Sequence, residues 1–252
     1  MDKTLLNTDK NIPPENVLAI KELKSNHILP VISTGKNLYE MKEIVNSSGI
    51  NTIIGANGSD LVFRGQHVYQ LPIGQAQINR LCNQANIDNI AIGFHNDKGI
   101  AITKRNKYTE SLFDEMRRPQ PPVDPDFYKN NVVTMLLVFI PTTLEGTILE
   151  KKYKLKFPEL HFMRNSDITI DTVNTGVSKA YGINILLHRP ELSGIHSFAF
   201  GDGNNDISML RTVDTGIAMG NASSEVKKIA DYQTDDYQHA GIPKALKHFG
   251  LI

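Results

Sequence analysis

Short apolar runs recur along this chain with polar, helix-periodic stretches between them. Ile28–Ser33 (ILPVIS), Thr52–Gly55, Ser197–Phe200 and Thr215–Met219 are 4–6 residue runs of the kind that forms buried strands. Pro30 counts against the first, because proline donates nothing to a ladder. Between the runs, helices are predicted at Glu15–Lys24, Asn37–Ser47, Ser178–Leu187, Asp206–Val213 and Ser223–Ala230. Leu38, Met41, Ile44 and Val45 share one face of the second, and Pro13 and Pro14 precede the first, where a helix start tolerates proline. Strand–helix alternation predicts an α/β fold, a Rossmann-like doubly wound parallel sheet with its working loops at the carboxyl ends of the strands.

The middle of the chain has a different texture. Ile90–Phe94 and Ile100–Thr103 flank a polar turn at His95–Gly99, the signature of a hairpin. Ile78, Leu81, Cys82 and Ala85 lie at helical spacing, Arg117–Pro125 is proline-rich and irregular, and Val132–Ile140 is a long apolar run. Thr143–Phe157 reads as a helix, with His161–Arg164 and Ile168–Val173 as further strands. The expected organisation is a core of residues 1–74 and 175–252, with residues 75–174 inserted as an α+β module.

Charge and composition remove several classes of function. The 27 basic and 27 acidic residues cancel, so no nucleic-acid-binding surface is indicated. Cys82 is the single cysteine, which rules out an internal disulfide and suits a reducing compartment. No apolar run approaches the ~20 residues of a membrane span, and the first residues are polar. A cytoplasmic protein with no membrane partner is expected; oligomeric state is not legible.

Candidate chemistry lies in four places. Gly201-Asp202-Gly203-Asn204-Asn205-Asp206 follows an apolar strand and precedes a helical run. Its glycines permit a sharp turn, and its carboxylates offer the hard oxygen ligands that Mg²⁺ requires. A plain polar turn accounts for the same residues taken alone. Ser33-Thr34-Gly35 ends another strand with a hydroxyl able to donate to phosphate. Lys179 opens a predicted helix and can neutralise a phosphate as a point charge. Asp2 lies near the start, in Asp2-Lys3-Thr4-Leu5.

In this order, and with Met219-Gly220-Asn221-Ala222 after them, these motifs resemble the haloacid dehalogenase-like hydrolases. Within that superfamily the chain is most similar to Cof-type, subfamily IIB, sugar-phosphate phosphatases with an inserted cap. The resemblance implies Mg²⁺-dependent hydrolysis of a small phosphorylated metabolite through an aspartyl-phosphate. It implies metal binding by Asp2, Asp202 and Asp206, and proton transfer by Asp2. It implies phosphate or substrate binding by Thr34, Gly35, Lys179, Asn205 and Asn57. A phosphosugar mutase and a non-catalytic phosphometabolite-binding relic are the alternatives.

One departure matters. The family's first motif reads Asp-x-Asp-Gly-Thr, and Asp2 matches its second aspartate. Lys3 stands where glycine is usual, and the attacking aspartate would lie immediately before Met1. The central strand leading to that aspartate is also absent from these 252 residues. The expectation is that the chain as it stands turns over little or nothing, and that the natural protein begins upstream.

Overall fold

The computed structural model describes every residue, Met1–Ile252. The chain divides into two units. One comprises Met1–Lys36, Met41–Tyr69 and Ser178–Ile252, and the other Asn37–Glu40 and Gln70–Val177.

The first unit opens with helix α1 (Pro14–Ser25), which has proline in its first turn and buries Ala19, Ile20 and Leu23. Strand β1 is only Ile32–Ser33 rather than the predicted six-residue run, since Pro30 interrupts the ladder upstream. The predicted helix at Asn37–Ser47 is a 3₁₀ turn at Leu38–Met41, of which Leu38–Glu40 count with the second unit, followed by α2 (Lys42–Ser48), which ends at left-handed Gly49. Strand β2 (Ile53–Gly55), wholly buried, pairs in parallel with β1 through Ile32↔Ile53. Strands β3 (Asp60–Phe63) and β4 (Gln66–Gln70), absent from the sequence reading, are joined at Arg64-Gly65, both with positive φ, as a two-residue hairpin turn demands.

The second unit is a five-stranded antiparallel sheet. Helix α3 (Gln75–Ile87) precedes β5 (Ile92–His95) and β6 (Ile100–Ile102). The hairpin between them turns on Asn96, whose Oδ1 accepts from the amides of Lys98 and Gly99. Next come α4 (Lys107–Glu115), α5 (Phe127–Asn130), β7 (Met135–Val138), α6 (Leu144–Lys156), β8 (Leu160–Arg164) and β9 (Ile170–Asn174). The strand order is β6-β5-β7-β9-β8. Ile78, Leu81, Phe94, Leu136, Val138, Tyr153 and Phe162 pack in one core. A smaller cluster of Ala91, Ile102, Phe113, Leu137 and Phe139 forms a separate core with α4 residues. Helix α4 escaped the sequence reading. Its start is fixed by a cap, Asn106 Oδ1 accepting from the amides of Tyr108 and Thr109, both at 3.0 Å.

The chain then returns to the first unit. Helix α7 (Lys179–Leu187) is capped by Ser178, and β10 is Phe198–Gly201. The predicted Asp206–Val213 helix is a 3₁₀ turn at Asn204–Asp206 followed by one short helix, α8 (Ile207–Leu210). Then follow β11 (Thr215–Ala218), α9 (Ser224–Ile229), β12 (Tyr232–Gln233) and α10 (Gly241–His248). Strands β10, β11 and β12 are parallel neighbours in that order.

The strands of this unit form two sheets, β1-β2-β3-β4 and β10-β11-β12. Strands β1 and β10 each lie at an edge, with no strand on their outer sides. Residues Met1–Leu6 form a compact turn in which the Met1 carbonyl accepts from the amides of Thr4, Leu5 and Leu6. No helix of the protein is long and apolar enough to cross a membrane.

Candidate active site

Lys179 and Asp206 are the anchor. Both are almost fully buried, and Lys179 Nζ donates to Asp206 Oδ1 at 2.5 Å. The other oxygen, Oδ2, accepts from the amides of Asp202 and Gly203 at 3.1 and 3.2 Å. Burial alone would raise the Asp206 pKa. Lys179, the Met1 amine and the hydrogen bonds outweigh it and hold the carboxyl below its usual range. This geometry depends on Gly201, since a Cβ there would stand 2.7 Å from Asp206 Cβ.

Asp202 follows β10 directly. The Thr4 hydroxyl donates to its Oδ1, while Oδ2 takes no such bond. Asp2 is half-buried and flanked by Lys10 and Lys36 at 3.3 and 3.5 Å. Burial pushes its pKa up, but Lys36 and Lys10, with help from the Met1 amine, bring it below the ordinary value. The amine is itself buried. Its pKa is lowered, first by burial and then by Lys179, against the attraction of Asp206, Asp202 and Asp2.

On the other side stands Thr34, buried at the end of β1. Its Oγ1 accepts from the Lys36 amide at 3.2 Å, which leaves its own proton free to donate. Gly35 lies between them. Asn57, also buried, is in the left-handed region at φ 54°, and its amide donates to the Thr34 carbonyl at 3.1 Å. The neighbouring Gly58 brings this loop against the start of α7: a Cβ at Gly58 would lie 2.1 Å from the Ser178 carbonyl oxygen, at φ +105°. Gly58→Ala should therefore cost ~3 kcal/mol or more, from backbone strain and overpacking together. A urea-unfolding midpoint matching the unsubstituted protein would contradict this.

Contacts thus connect Asp2 to the end of β1 through Lys36, and Lys179, Asp206 and Asp202 to the end of β10. Asn205 is different. It is exposed and bonds to none of the other candidate residues. Two participants were not singled out from the sequence, Thr4 and Lys36. Thr4 lies inside the Asp2 motif and Lys36 directly follows the Thr34 one, but a hydroxyl or lysine there has no signature until the fold brings its partner near. No three His, Cys, Asp or Glu side chains converge as a ready cage for a metal.

The family model for haloacid dehalogenase-like hydrolases matches residues 1–246. The chain belongs to that family. Among curated relatives of this haloacid dehalogenase-like hydrolase, YkrA of Bacillus subtilis, a candidate phosphatase by name, is 32% identical over all of this chain and 96% of its own. A second Bacillus subtilis relative, 5-amino-6-(5-phospho-D-ribitylamino)uracil phosphatase YcsE, is 28% identical over all of this chain and 94% of its own. Among solved structures, a hypothetical protein from Geobacillus kaustophilus aligns with a TM-score of 0.91 at 30% identity, covering all of this chain and 96% of that one. A sugar phosphatase of haloacid dehalogenase subclass IIB aligns at 0.85 and 26% identity, covering all of this chain and 97% of that one. The resemblance read from the motifs, and the α/β fold it implied, both hold for this hydrolase.

Proposed function

We propose that this protein is a Mg²⁺-dependent phosphatase of small phosphate monoesters, with phosphorylated sugars or sugar alcohols as the substrate class. The observation that carries this is the grouping of a buried lysine, Lys179, with Asp206, Asp202 and Asp2 in one region of the first unit. A cation with its own buried counter-ion, beside carboxylates at strand ends, suits a dianionic ester better than a neutral ligand. The substrate class is supported by two names: YcsE acts on a phosphoribityl compound, and the subclass IIB neighbour is a sugar phosphatase.

The donor set fits Mg²⁺. That ion is held by one or two carboxylates with waters and substrate phosphate rather than by an all-protein cage, and its charge stabilises the transferring phosphoryl group. Asp202, with its uncommitted Oδ2, and Asp2 are the residues that would hold it. Asp206 has both oxygens engaged by protein donors, so its part is to fix Lys179 and the Asp202–Gly203 backbone.

Lys179 keeps two of its three protons for phosphate, and Thr34 directs its hydroxyl proton at a phosphate oxygen. Asn57 and Gly35 shape the loop around Thr34. Asp2 is ionised beside its two lysines, which sets it to accept a proton from water. Residues 70–177 supply substrate selection as a cap.

A second reading, binding without turnover, draws on one feature. The charged groups acting on the buried Met1 amine are Lys179, Asp206, Asp202 and Asp2. All have other assignments here, so the attacking carboxylate is unassigned within residues 1–252.

Calorimetric titration tests the shared premise of both readings. Inorganic phosphate should bind in the presence of Mg²⁺ and weaken at least about tenfold when the ion is removed, a loss of ~1.4 kcal/mol. Asp202→Asn should abolish that dependence. Phosphate binding indifferent to Mg²⁺ in both proteins would refute the metal site.

A further inference from the structure

Helix α6 of the second unit has two apolar faces. One is used: Leu149 and Tyr153, with Phe157 just past the helix end, pack into the core of that unit. The other is bare. Leu144, Ile148 and Leu155 are 81%, 61% and 84% exposed. Spacings of four and seven residues set them on a single stripe along the helix, since 3.6 residues make one turn. Lys151, also exposed, falls on the same stripe between Ile148 and Leu155, and its methylene stem continues the apolar surface. Three exposed apolar side chains aligned over ~16 Å of one helix mark a contact surface rather than scattered surface residues. Leu144 and Glu145 also stand on the rim of a cavity of about 490 Å³ whose lining includes Ile90, Phe139 and Leu149.

The charges of α6 indicate the occupant. Glu145 opens the helix, and Lys151, Lys152, Lys154 and Lys156 close it. Glu145 is exposed and in no ion pair. Lys152 is held by Asp88 and Lys154 by Glu150, whereas Lys156 bonds to the neutral Gln84. Leu144 and Leu155 are eleven residues apart, as are Glu145 and Lys156, and eleven residues complete three turns. Each pair therefore runs along one line of the helix, the charged pair on a flank of the stripe.

An antiparallel second copy, related by a two-fold axis between Leu149 and Glu150, sets Leu144 against the second copy's Leu155 at the rim of the cavity. The same rotation brings Glu145 level with the second copy's Lys156 to within ~3 Å along the axis. Ile148 meets its own equivalent beside the two-fold. By symmetry every contact is made twice. A parallel arrangement would instead stack the four lysines on four lysines.

We propose that this chain docks on a second copy of itself through the stripe of Leu144, Ile148 and Leu155, the two α6 helices lying antiparallel with Glu145 of each facing Lys156 of the other. A strip ~16 Å long and ~10 Å wide is well under the ~800 Å² per partner of a standard interface, so the dimer is a weak one with a micromolar dissociation constant.

Sedimentation equilibrium of the 252-residue chain over ~1–100 μM should show a reversible passage from 28.1 kDa to twice that mass. Leu155→Glu should raise the dissociation constant at least ~10-fold. Glu145→Lys or Lys156→Glu alone should raise it about fivefold, and the two together in one chain should recover most of the loss. Cysteine crosslinking in a Cys82→Ala background, with diamide as oxidant, reads the register. Ile148→Cys should link two chains. Leu144→Cys and Leu155→Cys, each ~16 Å from its own equivalent, should link only when the two variants are mixed. The substituted α6 positions are all exposed, so folding is preserved.

A protein that stays at 28.1 kDa throughout overturns the proposal in favour of a different protein on the stripe. A dimer indifferent to Leu155→Glu overturns it in favour of another face. Linkage through Leu144→Cys alone, or charge reversals that fail to compensate, overturns the antiparallel register.

Discussion

Asp206→Ala should destabilise the first unit by ~3–5 kcal/mol, because it strands the Lys179 ammonium in a buried position. Lys179→Met should cost less. It leaves Asp206 with two backbone N–H donors and removes a charge whose burial was itself unfavourable. A Lys179→Met, Asp206→Leu double substitution should recover part of the loss. Acid should act through the same group. The folded pKa of Asp206 is depressed, so its contribution is complete above the ordinary carboxylate value, ~4, and is lost as pH falls through the lower folded value. Stability should thus vary little through this group between pH 7 and 5 and fall below ~4. Asp206→Ala should flatten the acid limb. Urea titrations at stepped pH measure all of this. An Asp206→Ala protein within ~1 kcal/mol of the original would mean that the pair contributes nothing net.

Much of the fold could be read locally. Short apolar runs located β2, β10 and β11, and the stretches between them placed α1 and α7. The hairpin at Asn96 and the caps at Ser178 and Ser223 are short-range chemistry of the same kind. Pro30 announced the truncation of β1. By contrast, β3 and β4 lack a strong local signal. Gln66–Gln70 is largely polar and exposed, and it becomes a strand by pairing with β3 in the β1-β2-β3-β4 sheet.

For the candidate site, the sequence by itself determined which residue types stand at the strand ends: the hydroxyl of Thr34, the carboxylates of Asp2, Asp202 and Asp206, and the helix-opening Lys179. Their order along the chain also pointed to the family. Only the tertiary structure decided which of them are already bonded to each other. That Asp206 is bound to Lys179 and that Asp202 accepts from Thr4 follow from contacts across 27 and 198 residues. Charge and hydrogen-bond satisfaction act over a few ångströms in space, whatever the separation in sequence, so no pattern along the chain encodes them.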